Sequence, residues 1–106
     1  YRLLARYARR GWPLYVTENG VADGRDVQRA DFLRAHLYAV DRARADGIDV
    51  IGYLHWSLID NFEWSHGFRG RFGLYRIDFD DPTLTRRPTA AVAVFQEAAR
   101  NLGTLR

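Results

Sequence analysis

The sequence predicts an α/β fold in which strand–helix units lay down a parallel sheet. Three observations carry this reading. Apolar residues recur at helical spacing in residues 2–10, in residues 30–45 and again after Pro88. Two apolar runs too short to be helices, Leu14–Thr17 and Val50–Leu58, lie between those segments. The alternation of the two kinds of segment is the order from which βα repeats are built.

Each element has its own signal. Leu3, Leu4, Tyr7 and Ala8 form the stripe of a first amphipathic helix, which Gly11 and Pro13 stop. Leu14–Thr17 is a short strand leading directly to Glu18, and residues 19–28, rich in Gly, Asn and Asp, form a loop. The second helix runs over Ala30–Ala45 with Leu33, Leu37, Val40 and Ala43 inward, and ends at Asp46-Gly47. Val50–Leu58 is almost continuously apolar, as expected of a parallel strand buried on both faces. A long hairpin-like loop follows, with an extended stretch over Phe72–Phe79 and a turn at Asp81-Pro82. Pro88-Thr89 opens the last helix, with Val92, Phe95 and Ala99 on its buried side. The two strands are expected side by side and parallel, joined through the second helix by a right-handed crossover. No repeat, low-complexity segment or interdomain linker divides the chain.

Composition narrows the function. The 106 residues are 47% hydrophobic and 14% aromatic, which argues for a packed core rather than disorder. With no cysteine, disulfides and thiolate chemistry are excluded, and a reducing, cytoplasmic setting fits. No apolar run reaches the roughly 18 residues of a membrane span. The net charge of +3 comes from sixteen arginines and no lysine, scattered in a way that reads as solvated surface rather than a polyanion site. The chain begins at Tyr1, contains no methionine and is far shorter than the roughly 250 residues of an eight-fold barrel. It therefore reads as a piece of something longer.

The chemistry concentrates in three runs. Glu18 sits in Tyr15-Val16-Thr17-Glu18-Asn19-Gly20, where a strand gives way to a loop. In α/β barrels that strand end carries the catalytic groups. By itself the run reads equally well as an Asn-Gly hairpin turn beside a solvated carboxylate. Downstream come Trp56-Ser57-Leu58-Ile59-Asp60-Asn61-Phe62-Glu63-Trp64 and Arg71-Phe72-Gly73-Leu74. Of the three glutamates in the chain, two lie in these runs.

In this order, from about Tyr15 to about Phe95, the runs resemble the C-terminal quarter of glycoside hydrolase family 1, the β-glucosidases and β-galactosidases. Val16–Asp23 and Gly52–Leu58 are most similar to the archaeal and actinobacterial β-glycosidase branch. The resemblance implies that residues 1–106 are the C-terminal portion, about the last two βα units, of a single (β/α)8 (TIM) barrel domain. It implies hydrolysis of terminal β-D-glucosides or galactosides with retention of configuration, without cofactor. The three histidines lack metal-ligand spacing, so no metal is expected. Glu18 matches the nucleophile, a carboxylate that forms a covalent glycosyl-enzyme later hydrolysed by water. Glu63 and Trp64 match residues that hydrogen-bond sugar hydroxyls, Trp56 the stacking platform beneath the sugar, and Phe72 an aromatic wall. A cis peptide at Trp56-Ser57 is also implied.

The family's acid/base glutamate lies in an Asn-Glu-Pro motif on an earlier strand, which these 106 residues do not contain. The remaining glutamate, Glu97, belongs to the last helix. By this reading the chain holds half of the catalytic pair and is inactive alone. His36 reads as structural, His55 should point away from Trp56 by strand alternation, and His66 borders the leaving-group side. The intact Phe-Glu-Trp segment and the lack of lysine favour neutral sugars over 6-phospho-sugars. Extra alanine and valine between Pro88 and Phe95 depart from the family pattern without touching these positions. A rival of another class is a small RNA-binding module, since Arg69–Tyr75 looks superficially like the Arg-Gly-Phe-Gly-Phe strand of such domains. The inserted Arg71 breaks that motif, and no second aromatic strand accompanies it.

Overall fold

The computed structural model describes residues 1–102. Its elements are α1 (Arg2–Ala8), β1 (Leu14–Asn19), α2 (Arg29–Ala45), β2 (Val50–His55), a 3-10 segment (Trp64–Arg69), β3 (Tyr75–Ile77), β4 (Arg86–Pro88) and α3 (Ala90–Leu102). β1 and β2 pair in parallel, and β3 and β4 pair antiparallel as a second small sheet. The α/β class and the parallel neighbours β1 and β2 are as the sequence predicts. No closed barrel forms among the described residues.

α2 is the hub of the packing. Its Leu33 packs with Leu74 and Ala91, flanked by Leu37, Tyr53, Val94 and Phe95. Two turns further, Val40 and Ala43 pack with Val50, flanked by Leu4, Val16, Ile48 and Tyr53. Tyr53 touches both clusters, so β2 is clamped to α2 along its length. Gly47 takes φ +82° just past α2, a left-handed turn that favours glycine and lets the chain reverse into β2.

Several boundaries differ from expectation for identifiable reasons. β2 ends at His55 rather than Leu58, because the backbone of residues 57–60 leaves β1 to bond with residues 72–75. Ser57 N donates to Phe72 O, Leu74 N to Ser57 O and Tyr75 N to Leu58 O. That exchange also limits the extended Phe72–Phe79 stretch to β3. Pro88 lies in β4, which the sequence does not announce, since two arginines and a proline have little strand preference. On α3 the fully buried residue is Ala91 rather than Ala99, which is exposed. Leu3 and Tyr7 on α1 are exposed, since only Leu4 reaches the second cluster.

Two expectations about burial are corrected. β2 is buried on its α2 side only: Ile51 is 61% and Leu54 49% exposed, because nothing in the described residues covers the other face. The arginines are not uniformly surface groups. Arg29 is 0% exposed, since the loop after β1 folds its polar groups around the guanidinium. It pairs with Asp26 at 3.1 Å and donates to the carbonyls of Asp23 at 2.5 Å and Arg71 at 2.7 Å. Asp23 in turn accepts from the backbone N–H groups of Gln28 and Arg29, fixing the start of α2.

The uncovered face has a consequence. Tyr15, Ile51 and Leu54 are exposed, and among the described residues each strand of the two-stranded sheet has an unpaired outer edge. The 106-residue polypeptide expressed alone is expected to self-associate and to melt without a sharp transition. Size-exclusion with light scattering and calorimetry check this. A monodisperse monomer with one cooperative transition would contradict it.

Candidate active site

Glu18 is exposed at the C-terminal end of β1, and a break in the β1–β2 register puts it there. Val16 pairs with Tyr53 and Asn19 with His55, so β1 spends three steps where β2 spends two. Such a bulge re-aims the side chains that follow it. Val16 packs toward α2, and strict alternation would send Glu18 the same way. Instead Asn19 takes the α2 side, its Oδ1 lying 2.8 Å from His36 Nδ1 and 2.8 Å from the Tyr53 hydroxyl. Glu18 is left free in the open.

Trp56 lies at the same end of the sheet, its backbone N donating to Asn19 O at 3.0 Å. The Trp56-Ser57 peptide is cis. Gly20 passes so close to this peptide that a Cβ there would overlap the Trp56 carbonyl oxygen at 1.7 Å. The Asn-Gly pair is therefore not a hairpin turn: Asn19 ends a parallel strand, and Gly20 makes room for the neighbouring one.

The Trp56 indole N–H donates to Glu63 Oε1 at 3.1 Å. The two side chains are brought together although seven positions separate them. The intervening loop is held from below by Asp60, which is 2% exposed. Its carboxylate accepts from Gly73 N at 2.9 Å, Ile77 N at 3.2 Å and Arg71 Nη1 at 3.3 Å. Phe72 is half-buried, and a Cβ on Gly70 would stand 3.1 Å from both Phe72 Cε2 and Glu63 Cγ. Gly70 thus lets an aromatic wall and a carboxylate sit side by side. Trp64 is 85% exposed, with φ +47° turning it outward at the start of the 3-10 segment.

The histidines sort by contact. His55 is half-buried beside the Phe72 carbonyl at 3.4 Å, while Trp56 is exposed, as alternation predicts. Burial holds His55 below its ordinary pKa, opposed by the Phe72 carbonyl and reinforced by Arg29. His66 is exposed in the 3-10 segment, its backbone N–H donating to Glu63 O at 2.9 Å. His36 does more than fill the helix, through its contact with Asn19. Burial lowers its pKa.

A cleft of about 310 Å³ between α2 and α3, lined by Leu37, Tyr53, Val94 and Glu97 among others, includes none of the predicted site residues. Glu97 is therefore placed in a helix groove, away from Glu18 and Trp56. Arg71, the centre of the RNA-like reading, is turned inward onto Asp60, Ile77 O at 2.9 Å and the Phe79 ring. Phe72 precedes β3 and stands on no strand, so the strand platform of an RNA-binding motif is absent among the described residues. No helix among them is long and apolar enough to cross a membrane.

The roles of Asn19, Asp60 and Arg29 are not evident from the sequence, since the partners of each lie in other elements.

A family model described as glycosyl hydrolase family 1 matches residues 1–104. A β-galactosidase of Sulfolobus acidocaldarius is 51% identical over 104 residues, covering 97% of this chain and 21% of that protein. A bifunctional β-D-glucosidase/β-D-fucosidase of Bifidobacterium breve is 49% identical over 90 residues, covering 73% of this chain and 20% of that protein. The crystal structure of the β-glycosidase from the hyperthermophile Thermosphaera aggregans superposes with a TM-score of 0.89 at 48% identity, over 95% of this chain and 21% of that one. The chain thus spans about a fifth of the length of these relatives.

Proposed function

The chain belongs to glycosyl hydrolase family 1, and from that premise we propose that its residues form the nucleophile side of a retaining β-glycosidase site. In this reading β1 and β2 are two of the eight strands of a barrel, and their C-terminal ends form part of its active face. The supporting observation is the register break that leaves Glu18 exposed at the same end of the sheet as Trp56, which is itself tied to Glu63.

Glu18 attacks the anomeric carbon from below the ring while the glycosidic oxygen takes a proton from a second carboxylic acid. The glycosyl ester so formed is opened by water, to which the second carboxyl now acts as base. Neither Glu63, held on the Trp56 indole, nor Glu97, in the helix groove, suits that second role. The acid/base is an additional carboxyl supplied by a complete barrel, and the 106 residues alone are expected to be silent. Trp56 offers its ring to the C–H face of the sugar. Glu63, Trp64 and Phe72 fix its hydroxyls and flank.

Glucosides, galactosides and fucosides are the substrates named by the relatives, and they are the sugars to test first. The Glu63 carboxylate disfavours a sugar carrying a phosphate dianion. In the full chain, Glu63→Ala is expected to lower kcat/KM about 10- to 100-fold, the range of a lost hydrogen bond to a charged group at roughly 1.5–3 kcal/mol. Michaelis kinetics on aryl β-glucosides and β-galactosides check it. An unchanged kcat/KM on every sugar would remove Glu63 from the pocket.

A further inference from the structure

We propose that Asn19, His36 and Tyr53 form a clamp that positions Glu18 for attack, an assignment that rests on the nucleophile reading above. The residue directly after Glu18 is held by its side chain and its backbone at once. Asn19 Oδ1 lies 2.8 Å from His36 Nδ1 on α2 and 2.8 Å from the Tyr53 hydroxyl on β2, while Asn19 O accepts from Trp56 N at 3.0 Å. Both lone pairs of the amide oxygen are thereby used.

The clamp sits at the register break. Between Val16 and Asn19 the strand carries one residue more than its partner. A strand can lose such a residue by slipping one position, and a one-residue slip turns each side chain to the opposite face. Pinning Asn19 on the α2 side prevents the slip and keeps Glu18 on the open side. Asp or Ser at this place would alter the charge or the reach of the acceptor.

The protons needed for the clamp are in place. An amide oxygen brings no hydrogen, so both partners must donate. Burial pushes the Tyr53 hydroxyl up to about 12, and it keeps its proton across the working range of pH. Neutral His36 donates through Nδ1, the nitrogen that faces Asn19. The Phe32 ring, 3.9 Å away between centroids, braces the imidazole. Neither His36 nor Tyr53 faces the open side, so both act through Asn19 as positioning residues.

In the full chain, Tyr53→Phe and His36→Leu are each expected to lower kcat for an aryl β-glycoside about tenfold with KM within about threefold. The double variant should approach the roughly 10²-fold loss that a displacement of about 1 Å produces. The same substitutions are then made in a Glu18→Gly background supplied with saturating azide. Azide is a free nucleophile whose position the clamp does not set, so the rescued rate should stay within about twofold. Tyr53→Phe removes a single oxygen and stands in if the double variant does not fold. Unchanged kcat, or equal losses in both backgrounds, would overturn the clamp. Failure of azide to rescue Glu18→Gly by itself would instead overturn the nucleophile assignment beneath it.

Discussion

Replacing Glu18 by glutamine in the full chain is expected to lower kcat for aryl β-glycosides on the order of 10⁴-fold or more, because an amide forms no glycosyl ester. Among the described residues the Glu18 side chain makes no hydrogen bond, and it is exposed at the strand end, so the fold should tolerate the change. Melting temperature and KM should therefore move little while kcat collapses. Glu18→Gly opens space for azide or formate, which should restore part of the rate and give a product of inverted configuration. Near-normal turnover in Glu18→Gln would remove this residue from the mechanism.

The second large effect is on stability. Asp60→Ala removes the acceptor of two backbone N–H groups and of the Arg71 guanidinium, all around a side chain that is 2% exposed. Breaking a buried ion pair from one side costs about 3–5 kcal/mol, since the remaining partner is left without compensation. The cost should appear in denaturant unfolding of the full chain, and kcat/KM should fall with it. Glu63 and Phe72 both hang from the segments that Asp60 ties together. Asp60→Asn keeps one acceptor oxygen and should lose less. A loss under about 1 kcal/mol for Asp60→Ala would show that the loop is held elsewhere.

These two residues also mark what the sequence makes legible. Glu18, Trp56, Glu63, Trp64 and Phe72 can be proposed from sequence because each lies in a contiguous run whose order has meaning. The helices are readable because α2 shows Leu33, Val40 and Ala43 at helical spacing, and the structure buries those residues. Asp60 lies in the same run as Glu63, but its partners are up to 17 positions away and no local pattern points to them. Arg29 reads as surface because its burial depends on the loop carbonyls folded around it. The contacts of Asn19 join residues 17 and 34 positions apart, and strand alternation alone would place Glu18 on the α2 face. β4 exists only through its antiparallel pairing with β3. Short-range pattern nominates the candidate residues, while long-range hydrogen bonding decides how they are aimed.

Glu18 is expected to become covalently glycosylated during turnover of the full chain. A 2-deoxy-2-fluoro β-glycoside with a good leaving group slows breakdown of such an ester enough for it to accumulate. After incubation of the full chain with this reagent, intact-protein mass spectrometry should show one added fluorosugar, and peptide mapping should assign it to the peptide containing Glu18. An adduct on another residue, or no adduct in an enzyme that releases its product with inverted configuration, would contradict the account.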